Sequence, residues 1–217
     1  MDNGIQRAAK SFVITLTGAN TAEIQEYVAE IRLNQEFQNR IEENRSVFDR
    51  RQHSSWDFGI GRPLGMILYT ICRRKKPDIV VETGVASGVS SSHILCALEQ
   101  NEHGQLYSID LPSWQRNQSG WMIPSYLRNR WHLIQGKSSE KLEQVLKKAG
   151  QIDIFLHDSE HSYQNMLWEF QIAWTYLKSG GLLLSHNIDT NDAFVDFYHS
   201  VGVKGYSLTN MGGIVNA

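Results

Sequence analysis

Ile79-Val80-Val81-Glu82-Thr83-Gly84-Val85-Ala86-Ser87-Gly88-Val89-Ser90-Ser91-Ser92 decides the fold of this 217-residue chain. It reads as a buried strand of β-branched residues, a glycine turn and the opening of a helix. Asp110 follows 22 residues after Gly88, at the end of a second apolar run, 106–109. Each part has a chemical use. Glycines let backbone N–H groups approach a ligand closely, and a helix opening at Gly88 presents its positive end to negative charge. A carboxylate at the tip of the next strand can accept both hydroxyls of a ribose. The arrangement suits a nucleoside. A dinucleotide fits less well, because the loop offers Glu82-x-Gly84-x-x-x-Gly88 in place of G-x-G-x-x-G. A carboxylate on the first strand would crowd a pyrophosphate and suits a cationic or zwitterionic ligand better.

Working outward, apolar runs and helical periods alternate from residue 78 onward, the pattern of a parallel sheet covered on both faces. Strands are expected at 78–83, 105–110, 132–136, 152–157, 181–186, 203–208 and 212–216. Ser139 reads as the cap of a helix reaching residue 149. Tyr163, Met166, Leu167, Phe170, Ala173, Trp174 and Leu177 form a helical stripe that belongs in the core, with Trp168 at its packing edge. Residues 1–75 read as a helical extension with too few apolar positions for a core of its own, and residues 76–217 as the domain proper. In the extension, Thr21 is expected to cap a helix bearing Ile24, Tyr27, Val28 and Ile31 that continues through Phe37 and Ile41. A charged stretch 42–51, a glycine-rich turn 56–63 and a second helix 64–74 follow, and Pro77 stops that helix.

A formal charge of −2 with mixed signs gives no case for nucleic acid, so small molecules are the expected partners. Cys72 and Cys96 are neither a metal pair nor a disulfide framework, which fits a reducing cytoplasm. No apolar run approaches the roughly 18 residues of a membrane helix, and the expectation is a soluble chain without a leader.

In an open parallel sheet, ligands bind outside the carboxyl ends of the strands. Three ends are chemically loaded. The third is followed by Gly136-Lys137-Ser138-Ser139, which can either meet a base or simply cap a helix. The fourth is followed by His157-Asp158-Ser159-Glu160-His161-Ser162-Tyr163, and the fifth by His186-Asn187-Ile188-Asp189.

The strand, acid and glycine loop resemble the first motif of class I S-adenosylmethionine-dependent methyltransferases. That resemblance implies an α/β Rossmann-like fold with seven strands, mostly parallel, flanked by helices and ending in an antiparallel strand. It implies that Glu82, Gly84, Ala86, Ser87, Gly88 and Ser90 hold the methionine part of S-adenosylmethionine, that Asp110 holds the ribose, and that Lys137 and Ser138 lie against the adenine. The later clusters resemble catechol O-methyltransferase, in which an aspartate and an Asp-Asn pair bind magnesium and a lysine takes the substrate proton. By position, Asp158 and Asn187 become metal ligands, His186 replaces the second aspartate and His161 the lysine. Two of those four positions depart from the pattern, and imidazole in place of carboxylate shifts the preference from Mg2+ toward a softer divalent ion or none. Asp158-Ser159-Glu160-His161-Ser162-Tyr163 resembles more closely the D-x-x-H-S-Y arrangement of sugar and macrolide O-methyltransferases and the Methyltransf_24 group, with Asn187 where that group has Asp. An extension such as residues 1–75 often packs on a second subunit in these enzymes, which implies a homodimer.

Methyl transfer from a sulfonium needs an aligned acceptor and removal of a proton from a weakly acidic hydroxyl. A histidine suits that work near neutral pH. His161 is the expected base, with His186 second; each can instead simply bond a neighbouring loop. His157 reads as structural, and Asp158 as a metal ligand or as the group that orients His161 or the adenosyl moiety. The segment 111–124, with Trp114, Arg116 and Trp121, reads as a lid over the crevice or a packed surface loop, and Trp56 and Asp57 could join it. The expected function is O-methylation of a small molecule. The alternatives are metal-independent N-methylation on the same fold, a nucleoside-binding regulator without transfer chemistry, and a nicotinamide oxidoreductase, which the missing G-x-G-x-x-G disfavours.

Overall fold

The computed structural model describes residues 3–51, 61–112 and 119–217. Trp56 and Asp57, and the part of the 111–124 segment that holds Trp114 and Arg116, lie outside the described residues.

Four helices precede the first strand: α1 (Asn3–Thr17), α2 (Thr21–Leu33), α3 (Gln35–Arg51) and α4 (Arg62–Lys75). The extension departs from the sequence expectation in three ways. Residues 3–17 form a helix of their own. The α2 cap is Asn20, not Thr21: its side chain accepts from the Glu23 N–H and Glu23 reaches back to the Asn20 N–H, so two orphan donors are satisfied reciprocally. The expected single helix through Ile41 breaks at Asn34, whose N–H closes α2 onto Glu30 while its side-chain oxygen accepts from the Phe37 N–H to open α3. Asparagine competes with the backbone for such bonds, and a residue that caps is poorly placed mid-helix.

The sheet contains β1 (Ile79–Thr83), β2 (Gln105–Asp110), β3 (Trp131–Gln135), β4 (Ile152–His157), β5 (Leu177–Ser185), β6 (Tyr206–Leu208) and β7 (Met211–Val215), in the order β3-β2-β1-β4-β5-β7-β6. The first five strands run parallel, and β7 is antiparallel to both its neighbours. The connecting helices are α5 (Val89–Gln100), α6 (Ser138–Ala149), α7 (Tyr163–Trp174) and α8 (Ala193–Ser200). Two more expectations need correction. Lys137, not Ser139, is the N-cap of α6, and it makes no side-chain capping bond. Leu177 belongs to β5 rather than to the α7 stripe: it pairs with Ile152, and a bulge then intervenes before Leu182 pairs with Ile154. Gly180, at φ +74°, lies within that irregularity and supplies the left-handed backbone it needs. The bulge hides the first half of β5 from any search for unbroken alternation.

Alternate residues of the central strands enter opposite cores. Val80, Leu106, Leu156, Leu182 and Leu184 pack against Leu68, Tyr69, Ile71, Leu95 and Leu98 of α4 and α5, in one cluster with Phe12, Leu16, Ile31 and Phe37 of the extension. Val81, Ile109, Phe155 and Leu183 face Leu142, Met166, Phe170 and Phe197 of α6, α7 and α8. The extension thus shares the sheet's core. Among the described residues no helix is long and apolar enough to cross a membrane. Thr83 pairs with Ile109 and His157, and His157 with Ser185, so the carboxyl ends of four strands finish level at one edge.

Candidate active site

At that edge the β1–α5 loop turns through three left-handed residues, Gly84 (φ +82°), Ala86 (φ +47°) and Gly88 (φ +89°), and Gly88 is the N-cap of α5. Gly84 is obligatory for a second reason. A Cβ there would lie 2.0 Å from the Asp158 carbonyl oxygen, so the loop after β1 rests directly on the loop after β4. The described end of the 111–124 segment closes over the same turn: the Gly120 N–H donates to Ala86 O and the Met122 N–H to Ser87 O, both at 2.9 Å. Arg128 holds this flap by donating to Gly120 O at 2.8 Å, and Asn44 of α3 by donating to Met122 O at 3.0 Å.

Glu82 is the penultimate residue of β1. Its carboxylate is fully buried and accepts from the hydroxyls of Ser90, Ser91 and Ser108, and Ser108 in turn accepts from the Trp131 indole N–H. Burial pushes the Glu82 carboxyl up from 4.5 to about 7, against the pull of those hydroxyls. Glu82 and Ser90 therefore bind each other and tie the first turn of α5 to the sheet. Asp110 ends β2, half-buried, and Lys137 and Ser138 stand where α6 begins.

The loops after β4 and β5 bring three potential ligand atoms together. Asp158 Oδ1 lies 2.8 Å from His186 Nδ1 and 3.5 Å from His161 Nε2, and one atom from each residue falls within 4.8 Å of the others. His186 Nε2 meets the Asn210 side-chain amide at 3.0 Å, and the same amide donates to Asn187 Oδ1 at 2.9 Å. An amide N–H can only donate, so His186 Nε2 accepts and its proton sits on Nδ1, toward Asp158. Burial would raise the Asp158 carboxyl, but the His161 and His186 imidazoles outweigh it and hold it below the usual carboxylate range. His161 is half-buried, and its Nε2 has no hydrogen-bond partner among the described residues. Asn187, at φ +53°, adjoins the trio through the Asn210 amide, and His161 joins Asp158 and His186 of the ligand set expected from the sequence. A cavity of about 570 Å3 between α1, α2 and α4 shares no lining residue with the cluster.

Residues 81–188 match the Methyltransf_24 family model, a methyltransferase domain. Over those residues the chain is a methyltransferase domain. Among solved structures, it resembles the O-methyltransferase from Bacillus cereus in complex with SAH, at a TM-score of 0.62 and 14% identity over 97% of this chain and 99% of that one. It also resembles the SAH-bound Podospora anserina methyltransferase PaMTH1, at a TM-score of 0.58 and 14% identity over 100% of this chain and 97% of that one. At such identities the likeness is one of fold. No curated protein matches the sequence.

Sequence reasoning missed two site residues of this methyltransferase. Asn210 lies in the turn between β6 and β7, far along the chain, and no local spacing links it to His186. Glu169 sits inside the apolar stripe of α7, fully buried. A lone acid interrupting a core stripe was the available signal, since a buried carboxylate demands partners.

Proposed function

We propose that this methyltransferase transfers the methyl group of S-adenosylmethionine to an oxygen of a small molecule, with His161 as general base. The observation that carries the reading is the contact between Gly84 and the Asp158 backbone, which puts a glycine loop and an Asp–His cluster side by side at one sheet edge. In this reading the turn through Gly84, Ala86, Ser87 and Gly88 receives the methionine part, with Glu82 and Ser90 holding that turn from below. Asp110 receives the ribose, and Lys137 and Ser138 flank the adenine. The acceptor hydroxyl attacks the sulfonium methyl in line; the carbon–sulfur bond breaks as the carbon–oxygen bond forms, and S-adenosylhomocysteine leaves neutral at sulfur. The hydroxyl proton passes to His161. Nδ1 takes it, and the Asp158 carboxylate, 3.5 Å from Nε2, stabilises the imidazolium by its charge. His186 has both ring nitrogens engaged and serves to hold Asp158.

The orphaned His161 Nε2 favours a second reading, in which Asp158, His161 and His186 hold a divalent ion. Two imidazoles and one carboxylate suit Mn2+, Fe2+ or Zn2+ better than Mg2+. Such an ion would lower the pKa of a bound hydroxyl. His186 would give up its Nδ1 proton, and the Asn210 amide would turn to accept at Nε2. The test is methyl transfer from labelled S-adenosylmethionine to panels of hydroxyl and amine acceptors, with and without chelator. Chelator-resistant transfer to hydroxyls supports the histidine base, loss on chelation with recovery on Mn2+ supports the ion, and transfer to amines alone overturns the oxygen acceptor.

A further inference from the structure

Behind the Asp158–His161 cluster lies a second polar group that the reaction does not use. Glu169 of α7 is 0% exposed, and donors surround its carboxylate. Thr83 Oγ1 donates to Oε2 at 2.5 Å and Ser159 Oγ to Oε1 at 2.7 Å. His157 Nδ1 lies 2.7 Å from Oε2 and Asn165 Nδ2 3.1 Å from Oε1. Burial would push the Glu169 carboxyl up; His157 and the hydroxyls of Ser138 and Thr83 outweigh it and hold the group ionised. A buried carboxylate with every lone-pair direction filled is a rigid node, because losing any donor leaves charge uncompensated.

The identity of the donors gives the node its function. Thr83 immediately precedes Gly84, the residue pressed on the Asp158 carbonyl, and Ser159 immediately follows Asp158. The two hydroxyls therefore grip the two loops on either side of their contact. His157, the residue before Asp158, bonds Glu169 through one edge and sets its ring perpendicular to that of His161, centroids 5.5 Å apart. We infer that Glu169 is a positioning residue: it fixes the glycine loop relative to His161, so that the cofactor methyl and the base are held in register. This rests on the reading of His161 as base and of the glycine loop as the cofactor seat.

Glu169→Gln keeps the volume but turns one acceptor into a donor facing donors. The variant of the 217-residue chain is compared with wild type by calorimetric titration with S-adenosylhomocysteine, and by diethyl pyrocarbonate labelling of His161 relative to the exposed His199, read by peptide mass spectrometry. The expected result is about a tenfold weaker affinity together with about a tenfold faster relative labelling of His161, the size that follows from breaking one or two charge-assisted bonds. Thr83→Val and Ser159→Ala, which each remove one donor and are less disruptive to folding, should divide the effect: the first moves mainly the affinity and the second mainly the labelling. A merely structural role would lower the unfolding temperature and leave both ratios unchanged. If folded Glu169→Gln, or both single-donor variants, keep affinity and labelling within about twofold of wild type, Glu169 does not position the site. Failure of wild type to bind S-adenosylhomocysteine would sink the cofactor reading instead, while the labelling ratio would still report on Glu169 and His161.

Discussion

Glu82→Gln tests the electrostatics of the strand that carries the glycine loop. The Glu82 carboxyl is completely buried, and its folded pKa of about 7 lies above the 4.5 of a free side chain. An acid raised in this way binds its proton more tightly in the folded state. The contribution of Glu82 to stability is therefore greatest at low pH and falls as pH rises from about 4.5 through about 7. At about 1.4 kcal/mol per pH unit across that window, the loss totals about 3 kcal/mol. Glutamine is neutral throughout and nearly isosteric, and only the Ser90 hydroxyl has to turn to accept from its amide if the amide nitrogen takes the Oε1 position. Asp158 and Glu169, both lowered, give the opposite trend, with stability lost as pH falls, but they do so in both proteins and cancel in the difference. Urea unfolding of the two proteins at about pH 5 and about pH 8 should show the variant gaining about 2–3 kcal/mol on wild type between those conditions. A difference that does not change with pH would show that Glu82 ionises freely, and the account of it as a sealed node would fail.

Three further outcomes follow from the geometry. Gly84→Ala places a methyl group against the Asp158 carbonyl in a left-handed backbone; the backbone alone costs about 1–3 kcal/mol, so thermal unfolding should shift down and S-adenosylhomocysteine binding should be lost, and a variant with normal affinity would contradict the close contact. His161→Ala should lower kcat by about 100-fold or more while leaving cofactor affinity near wild type, whereas unchanged turnover would remove His161 as base. Asn20→Ala breaks both halves of the α2 capping box and should cost about 1 kcal/mol in urea unfolding without altering cofactor affinity, and an equal loss of affinity would mean that the extension reaches the site.

The order of strands and helices was legible because β-branched runs and helical periods are local signals. The glycine loop was legible because left-handed backbone at Gly84 and Gly88 restricts the residue type. What stayed hidden depends on contacts distant in sequence. Nothing near Glu82 in sequence announces Ser108, and only the fold brings that hydroxyl of the next strand onto its carboxylate. Nor does anything near His186 in sequence announce that Asn210 meets its second nitrogen. The break at Asn34 does leave a mark, since Ile31 to Phe37 is a step of six residues that the helical period does not give and the in-phase positions Asn34, Gln35 and Gln38 are polar; the side-chain bond that opens the next helix at Phe37 is visible only in the fold.

The most direct measurement is calorimetric titration of the 217-residue chain with S-adenosylhomocysteine, with NAD as control. The account predicts saturable binding at micromolar concentration or tighter to S-adenosylhomocysteine and no heat with NAD. Absence of binding to S-adenosylhomocysteine, or preference for NAD, would contradict it and leave the glycine loop in need of a different ligand.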